Sequence, residues 1–236
     1  MTKLIVANWK MNGGVSMINE YISVFVDYVN DSIKLIVCPP YPLLQQARKI
    51  FNNTIAVGAQ NCSQQTYGAF TGEVSCSLLK EVGCDFVIVG HTERRVLFGE
   101  NNQIIKNKID IAIKHQIQPI VCIYKEDHST DAKALNNIVN QCQELGLHNA
   151  NDVIVAYEPK WAIGTNITPD INHVKVVLNT IRQATSLPTI YGGSVNMDNI
   201  GKLLDVSDGL LVGGMSTKPY VFYKAIKSAC KNLGSN

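Results

Sequence analysis

Short apolar runs rich in β-forming residues recur eight times along this chain, and this recurrence constrains the fold more than any other feature of the sequence. The runs are apolar at successive positions rather than at alternate ones, as expected for strands that are covered on both faces in a parallel sheet. The predicted strands are Leu4–Ala7, Leu35–Val37, Ile55–Ala59, Phe86–Val89, Ile120–Ile123, Val153–Tyr157, Thr189–Tyr191 and Leu210–Val212.

Longer segments with helical periodicity lie between these runs. The clearest of them forms one apolar stripe, made of Ile171, Val174, Val177, Leu178 and Ile181. Such a stripe is typical of a helix that packs on a sheet. Thr168-Pro169 predicts the N-cap and first position of this helix, and Ser75 predicts the N-cap of a helix that runs to Val82.

Strands and helices alternate along the whole chain. Its 236 residues fit either one α/β barrel or two small domains. No Ser/Gly/Pro-rich linker or low-complexity segment divides the sequence, which favours a single domain over residues 1–236. Eight βα units of roughly 30 residues each predict a closed (β/α)8 barrel, eight parallel strands with surrounding helices, rather than an open doubly wound sheet.

Composition excludes several classes of function. The formal charge is +2 and the basic residues are scattered, which argues against nucleic-acid binding. Seven cysteines without paired CxxC spacing indicate buried thiols in a reducing compartment rather than a disulfide framework or a metal site. The apolar run at the N-terminus is too short for a signal peptide, and nothing later approaches a membrane span. We therefore expect a cytoplasmic protein.

Polar and glycine-rich segments follow several predicted strands. In a barrel these segments meet at one mouth, so they are read together. They are Asn8-Trp9-Lys10 after strand one, Gly90-His91-Thr92-Glu93-Arg94-Arg95 after strand four, Glu158 at the end of strand six, Gly192-Gly193-Ser194 after strand seven and Gly213-Gly214 after strand eight. A single Gly-Gly is often only a turn. Two of them after consecutive late strands predict a phosphate site, since their backbone N–H groups are unobstructed.

The segment from Ala156 to Thr165 combines a carboxylate with a loop that has one stiff end. Glu158 closes an apolar strand, Pro159 fixes the backbone beside it, and Gly164 allows backbone to approach a ligand. This arrangement suits a general base beneath a lid. A charged strand end followed by an ordinary surface loop is the alternative.

Seven motifs, in order, resemble the triosephosphate isomerase family along nearly the whole chain. They are Ala7-Asn8-Trp9-Lys10-Met11-Asn12, Gly58-Ala59-Gln60-Asn61-Cys62, Gly68-Ala69-Phe70-Thr71-Gly72-Glu73, Gly90-His91-Thr92-Glu93-Arg94-Arg95, Tyr157-Glu158-Pro159, Trp161-Ala162-Ile163-Gly164-Thr165 and Tyr191-Gly192-Gly193-Ser194-Val195. The resemblance implies an aldose-ketose isomerase of glycolysis and gluconeogenesis. It would interconvert dihydroxyacetone phosphate and D-glyceraldehyde 3-phosphate through an enediol(ate), without a metal or an organic cofactor.

The resemblance also implies a role for each matching residue. Glu158 matches the family's proton carrier, His91 the neutral imidazole that stabilises the enediolate oxygen, and Lys10 the active-site cation, with Asn8 as a nearby donor. Glu93 matches a carboxylate that supports Lys10. The substrate and its phosphate would be held by Asn8, Lys10, Gly164, Ser194, Gly213 and Gly214.

A homodimer is implied as well. The loop of residues 61–73 matches the loop by which family members insert into a neighbouring subunit, and Thr71 would approach Asn8 and Lys10 of the partner subunit.

Four positions depart from the family pattern. Thr92 stands in place of serine, Lys160 in place of a small apolar residue, Tyr124 in place of glycine, and Asn166 in place of a hinge glycine. The Tyr124 departure predicts a different loop after strand five and puts that loop's contacts with the lid in question.

Two rival functions stay open. One is another phosphate-binding barrel, such as an aldolase or a synthase, and the other is a non-catalytic binding protein that shares the fold.

Overall fold

Parallel strands closed into a barrel form the centre of the molecule. The computed structural model describes residues 2–26, 32–163, 165, 167 and 169–231. Within these residues the barrel has eight strands: β1 Lys3–Asn8, β2 Ile33–Cys38, β3 Ala56–Ala59, β4 Phe86–Val89, β5 Gln118–Lys125, β6 Ile154–Pro159, β7 Thr189–Tyr191 and β8 Gly209–Val212. Each strand pairs in parallel with the next, and β8 pairs with β1, which closes the barrel. The predicted (β/α)8 barrel is confirmed.

Helices surround the barrel and connect successive strands. They are α1 Val15–Phe25, α2 Leu44–Phe51, α3 Cys76–Glu81, α4 Thr92–Phe98, α5 Asn102–Lys114, α6 Ala132–Glu144, α7 Ile171–Thr185, α8 Ile200–Val206 and α9 Pro219–Lys231. Short 3-10 turns span Tyr41–Leu43, Leu147–Asn149, Lys160–Ala162 and Gly214–Thr217. No helix in the described part of the chain has both the length and the hydropathy needed to cross a bilayer.

Two apolar layers explain why the strand segments read as continuous hydrophobic runs. Val6 and Ile88 belong to a compact cluster that includes side chains from most of the strands. Their neighbours Ile5 and Val89 belong to the larger layer shared between strands and helices. Side chains of a strand point alternately to opposite faces, so burial of both faces leaves few places for polar residues.

Gly209 allows the barrel to close. A Cβ atom at this position would lie 1.9 Å from the carbonyl oxygen of Leu4 on β1, closer than any real contact. The backbones of β8 and β1 can therefore approach only because residue 209 has no side chain.

The helix-start predictions have different outcomes. Ser75 caps α3, since its hydroxyl accepts a hydrogen bond from the Leu78 N–H at 3.3 Å. The prediction for Thr168-Pro169 is wrong: α7 begins at Ile171 and is capped by Asp170, which accepts from the N–H groups of Asn172 and His173. Thr168 itself lies outside the described residues. An aspartate closer to the helix is the better cap because its carboxylate reaches two exposed donors.

Candidate active site

A cavity of about 180 Å³ lies at the carboxyl ends of the strands. Asn8, Lys10, His91 and Glu158 line one part of it, and the segments after β7 and β8 line the rest, including Ser194, Gly213 and Gly214. Residues that are far apart in sequence meet here because each follows a different barrel strand. Of the predicted site residues that the structure describes, all except Glu93 and Thr71 line this cavity. Glu93 contacts the cavity through Lys10, and Gly164 lies outside the described residues.

Glu158 is fully buried at the end of β6. Its Oε2 atom accepts two hydrogen bonds from Thr92, one from the backbone N–H and one from the hydroxyl, both at 2.8 Å. Its Oε1 atom lies 3.2 Å from Nε2 of His91 and has no hydrogen-bond partner among the described residues. One carboxylate oxygen is therefore anchored, while the other can still accept a proton.

His91 connects this carboxylate to the start of α4. Its Nδ1 atom accepts a hydrogen bond from the Glu93 N–H at 3.1 Å. A backbone N–H can only donate, so Nδ1 carries no proton, and the neutral ring has its proton on Nε2. The proton-bearing nitrogen is the one that lies next to Glu158.

Lys10 has an unusual backbone, with a φ of 52° in the left-handed region. A conformation of this kind costs a non-glycine residue about 1–3 kcal/mol. Two hydrogen bonds hold it in place: Asn8 Oδ1 accepts from the Lys10 N–H at 3.0 Å, and Gln60 donates to the Lys10 carbonyl at 2.8 Å. The Lys10 ammonium forms an ion pair with Glu93, which fixes the cation beside the cavity.

Glycines in the segments after β7 and β8 leave space for a ligand in the cavity. A Cβ at Gly213 would lie 3.3 Å from Cε of Lys10, and a Cβ at Gly192 would lie 3.1 Å from Cγ of Glu158. Side chains at these positions would therefore press on the two charged groups of the site. Gly214 meets nothing within 4 Å, which leaves its backbone open to the cavity.

A buried thiol lies beneath the carboxylate. Burial, reinforced by the negative charge of Glu158, raises the pKa of Cys122 well above its ordinary value. This thiol therefore stays protonated and neutral.

A profile of the triosephosphate isomerase family matches residues 3–229 of this chain. The chain belongs to the triosephosphate isomerase family. It is 40% identical to the triosephosphate isomerase of Wolbachia pipientis wMel, in a match that covers 99% of this chain and 96% of the relative. It is 37% identical to that of Aquifex aeolicus (97% and 100% covered) and 38% identical to that of Halorhodospira halophila (97% and 98%).

The contacts of two residues in this candidate site, Thr92 and Gln60, were not predicted from the sequence. Thr92 was noted as a departure from serine, but its double hydrogen bond to Glu158 emerges from the fold alone. Gln60 lies in a family motif without an assigned role, and its amide joins the backbones of Lys10 and Cys38. Their positions could have indicated a role, since each residue lies within three residues of the end of a predicted strand.

The segment predicted to form a lid, of which residues 159–163 are described in full, contacts the loop after β5. Trp161 donates its indole N–H to the Asp127 carbonyl at 3.1 Å, and the His128 ring stacks on the indole with centroids 3.8 Å apart. Lys160 pairs with Glu126 at 3.1 Å, where both side chains are largely exposed. The Lys125 ammonium donates to both the carbonyl and the carboxylate of Asp127, and the bond to the carboxylate lowers the pKa of the Asp127 carboxyl.

Tyr124 lies near the end of β5, just before this loop. It extends β5 by pairing with Glu158 on β6, and its ring lies 5.0 Å from the Arg95 guanidinium. The strand therefore continues to Lys125, and residues 126–128 supply the lid contacts. Asn166 lies outside the described residues.

Proposed function

We propose that this chain is a single-domain triosephosphate isomerase of the cytoplasm. It interconverts dihydroxyacetone phosphate and D-glyceraldehyde 3-phosphate in glycolysis and gluconeogenesis. The observation that carries the proposal is the position of Glu158: one oxygen is held by Thr92, the other is unpartnered, and both lie in a cavity shared with His91 and Lys10.

Glu158 is the proton carrier in this proposal. Isomerisation requires removal of a proton from one carbon and its return to the neighbouring carbon, which a single carboxylate can perform between the two positions. Glu158 is fully buried, and anchoring of Oε2 limits the motion of the carboxylate. Proton transfer therefore takes place from a defined geometry.

His91 stabilises the enediolate that forms when the proton leaves. Its Nε2–H donates to a substrate oxygen, because the acceptor role of Nδ1 fixes the ring proton on Nε2. Asn8 and the Lys10 ammonium add a donor and a positive charge on the same side of the cavity.

The phosphate is held by backbone donors of the segments after β7 and β8, next to Lys10. Ser194, Gly213 and Gly214 line this wall. We also assign Gly164, which lies outside the described residues, to phosphate binding. The hydroxyl of Ser194 donates to the Ala162 carbonyl at 2.6 Å, so the phosphate wall and the base of the lid are connected. Lid closure excludes water, which protects an enediol phosphate from elimination.

The active form is a homodimer in which residues 61–73 of one subunit insert beside Lys10 of the other. Exposed apolar side chains surround the receiving groove: Met11 is 95% exposed, Leu97 71% and Phe98 64%. This groove of about 340 Å³ is also lined by Asn8, Lys10 and Glu93. Apolar exposure on this scale supports a protein interface. In the proposed dimer, Thr71 lies against Asn8 and Lys10 of the partner subunit.

A coupled assay tests the activity. Purified protein is given D-glyceraldehyde 3-phosphate, and dihydroxyacetone phosphate is followed through its NADH-dependent reduction by a second enzyme. We expect turnover without added metal, and in the presence of a chelator. A barrel that condenses or cleaves phosphorylated compounds would form a different product, and a non-catalytic binding protein would form none.

A further inference from the structure

His173, in the first turn of α7, contacts the end of β6 that carries Glu158. Its Nε2 atom lies 2.9 Å from the Tyr157 hydroxyl, within hydrogen-bonding distance. Tyr157 is fully buried in the layer between strands and helices, and burial raises the pKa of its hydroxyl, so this group stays neutral. The next residue, Glu158, lines the cavity. Since neighbouring side chains of a strand point to opposite faces, His173 braces the outer face of the strand end whose inner face holds the carboxylate.

Trp161, which follows Glu158 by three residues, contacts two imidazole rings. The His173 ring meets the indole edge to face, with centroids 5.8 Å apart and planes at 79°. The His128 ring stacks on the indole with centroids 3.8 Å apart, and the indole N–H donates to the Asp127 carbonyl at 3.1 Å. His173 therefore joins the residue before Glu158 to the third residue after it.

The surroundings of His173 favour its neutral form. Burial, reinforced by the charges of Lys125 and His128, lowers the pKa of His173, although Asp170 and Asp127 oppose this change. Lys125 ends β5, Asp127 and His128 follow it, and Asp170 caps α7. A proton taken up by the ring would place a positive charge in a partly buried position near another cation, and the charged ring would gain by turning towards water. Acid therefore weakens both contacts of the ring.

We propose that His173 is a positioning residue for Glu158. Its neutral ring holds the Tyr157 hydroxyl and the Trp161 indole, which fixes the chain on both sides of the carboxylate, and a proton on the ring releases them. This inference rests on the proposed function, because it concerns the residue proposed to carry the proton. His173 does not line the cavity, so it acts through its two neighbours and not on the substrate.

Nitrogen–proton NMR of the indole groups tests these contacts without any activity measurement. The chain has two tryptophans, and Trp9 is fully buried, so its indole N–H signal is the internal control. The spectrum of Trp161→Phe identifies the signal of Trp161. We expect the Trp161 signal, and not the Trp9 signal, to move as the pH falls below the ordinary histidine pKa of about 6.5.

The charge of His128 must be separated from that of His173, since both rings contact the indole. His128→Phe keeps a ring on the indole that takes up no proton. His173→Gln keeps a group that can bond to the Tyr157 hydroxyl, again without a titrating charge. We expect the movement of the Trp161 signal to persist in His128→Phe and to be lost when His173→Gln is added. Its absence from wild type or from His128→Phe, or its survival in the double variant, would overturn the proposal.

The coupled assay then measures the consequence for catalysis. His173→Phe keeps a ring but loses the bond to the Tyr157 hydroxyl, so we expect kcat to fall about five- to tenfold with little change in KM, because misplacement of the carboxylate acts on the transition state. His173→Gln should have a kcat within about twofold of wild type at mildly alkaline pH and should exceed wild type in acid, where the imidazole is charged.

The two ways in which this account can fail are distinguishable. An active wild type whose kcat equals that of His173→Phe and of His173→Gln at every pH would overturn the positioning role and leave the proposed function intact. A wild type without turnover would instead refute the proposed function, and with it this role, while the ring contacts measured by NMR would stand.

Discussion

The two sides of the cavity are completed in different ways. On one side Glu158 is fully buried, and its anchor Thr92 and its neighbour His91 belong to the same chain. On the other side the Lys10 and Glu93 side chains are 31% and 42% exposed, although they form an ion pair. The groove beside them is lined by Met11, which is almost entirely exposed.

This difference indicates which parts of the function a single chain can supply. Glu158 is positioned by buried hydrogen bonds, which are strengthened by a low dielectric environment. The cation depends on a surface pair, and surface pairs contribute little by themselves. We infer that the chain alone positions its proton carrier, and that a second copy completes the Lys10 side.

The largest effect should follow loss of the base. Glu158→Gln keeps the shape but removes the proton acceptor, so we expect kcat to fall by about 10³-fold. Glu158→Asp withdraws the carboxylate from its position and should lower kcat by about 10²-fold with little change in KM. The matched control is Glu126→Asp, an exposed carboxylate near the lid, which should change kcat little. Near-normal turnover of Glu158→Gln would remove Glu158 from its role.

The next largest effect should come from the partner side. Replacing residues 64–72 by a short glycine linker removes the part of the loop that would enter the other subunit. We expect a monomer by analytical ultracentrifugation and activity reduced by roughly 10- to 100-fold, the cost of a misplaced catalytic group. Circular dichroism serves as the folding control. A fully active monomer would show that the Lys10 side is complete in one chain.

A smaller effect should follow loss of one anchor of Glu158. Thr92→Val removes the hydroxyl hydrogen bond and keeps the backbone one, and a hydrogen bond to a charged group contributes about 1.5–3 kcal/mol. We expect kcat/KM to fall about tenfold, a change that corresponds to about 1.4 kcal/mol. Thr92→Ser restores the hydroxyl and should behave like wild type. If the serine variant loses as much as the valine variant, then shape rather than the hydrogen bond matters.

The smallest effect should be found at the lid. Lys160 pairs with Glu126 at the surface, where an ion pair contributes about 0–1 kcal/mol. Lys160→Val should therefore change kcat/KM by less than about fivefold, and the small change should become smaller as salt screens the pair. A hundredfold loss that increases at low ionic strength would place Lys160 in the site.

Much of the fold was predictable because burial of both strand faces leaves a strong hydrophobic pattern. The prediction for β4 coincides with the observed strand, whereas β5 extends to Gln118 and Lys125 beyond the apolar residues. Gln118 joins the strand because it pairs with Phe86 on β4. Tyr124 and Lys125 join it because they pair with β6, and no local pattern reveals such pairings. The cap of α7 was missed because proline is common at the first helical position, whereas here Pro169 precedes the capping residue Asp170.

The residues that meet in the cavity were predictable through family motifs, but the contacts that hold them in place were not. The hydrogen bond from Thr92 to Glu158 joins residues 66 positions apart. Trp161 donates to Asp127, 34 positions away in the sequence, and stacks on the neighbouring His128. Contacts of this kind depend on which strands become neighbours in the barrel. Sequence separation hides them until the fold is known.

The central claim is that Glu158 carries a proton between two carbons through an enediolate. Its most direct test is conversion of D-glyceraldehyde 3-phosphate in D₂O, with the product examined by proton NMR. A carboxylate that holds the proton can exchange it with solvent before returning it, so we expect deuterium in the product. With Glu158→Gln we expect product to form about 10³-fold more slowly. Rapid conversion by wild type with no deuterium in the product, together with active Glu158→Gln, would contradict the account.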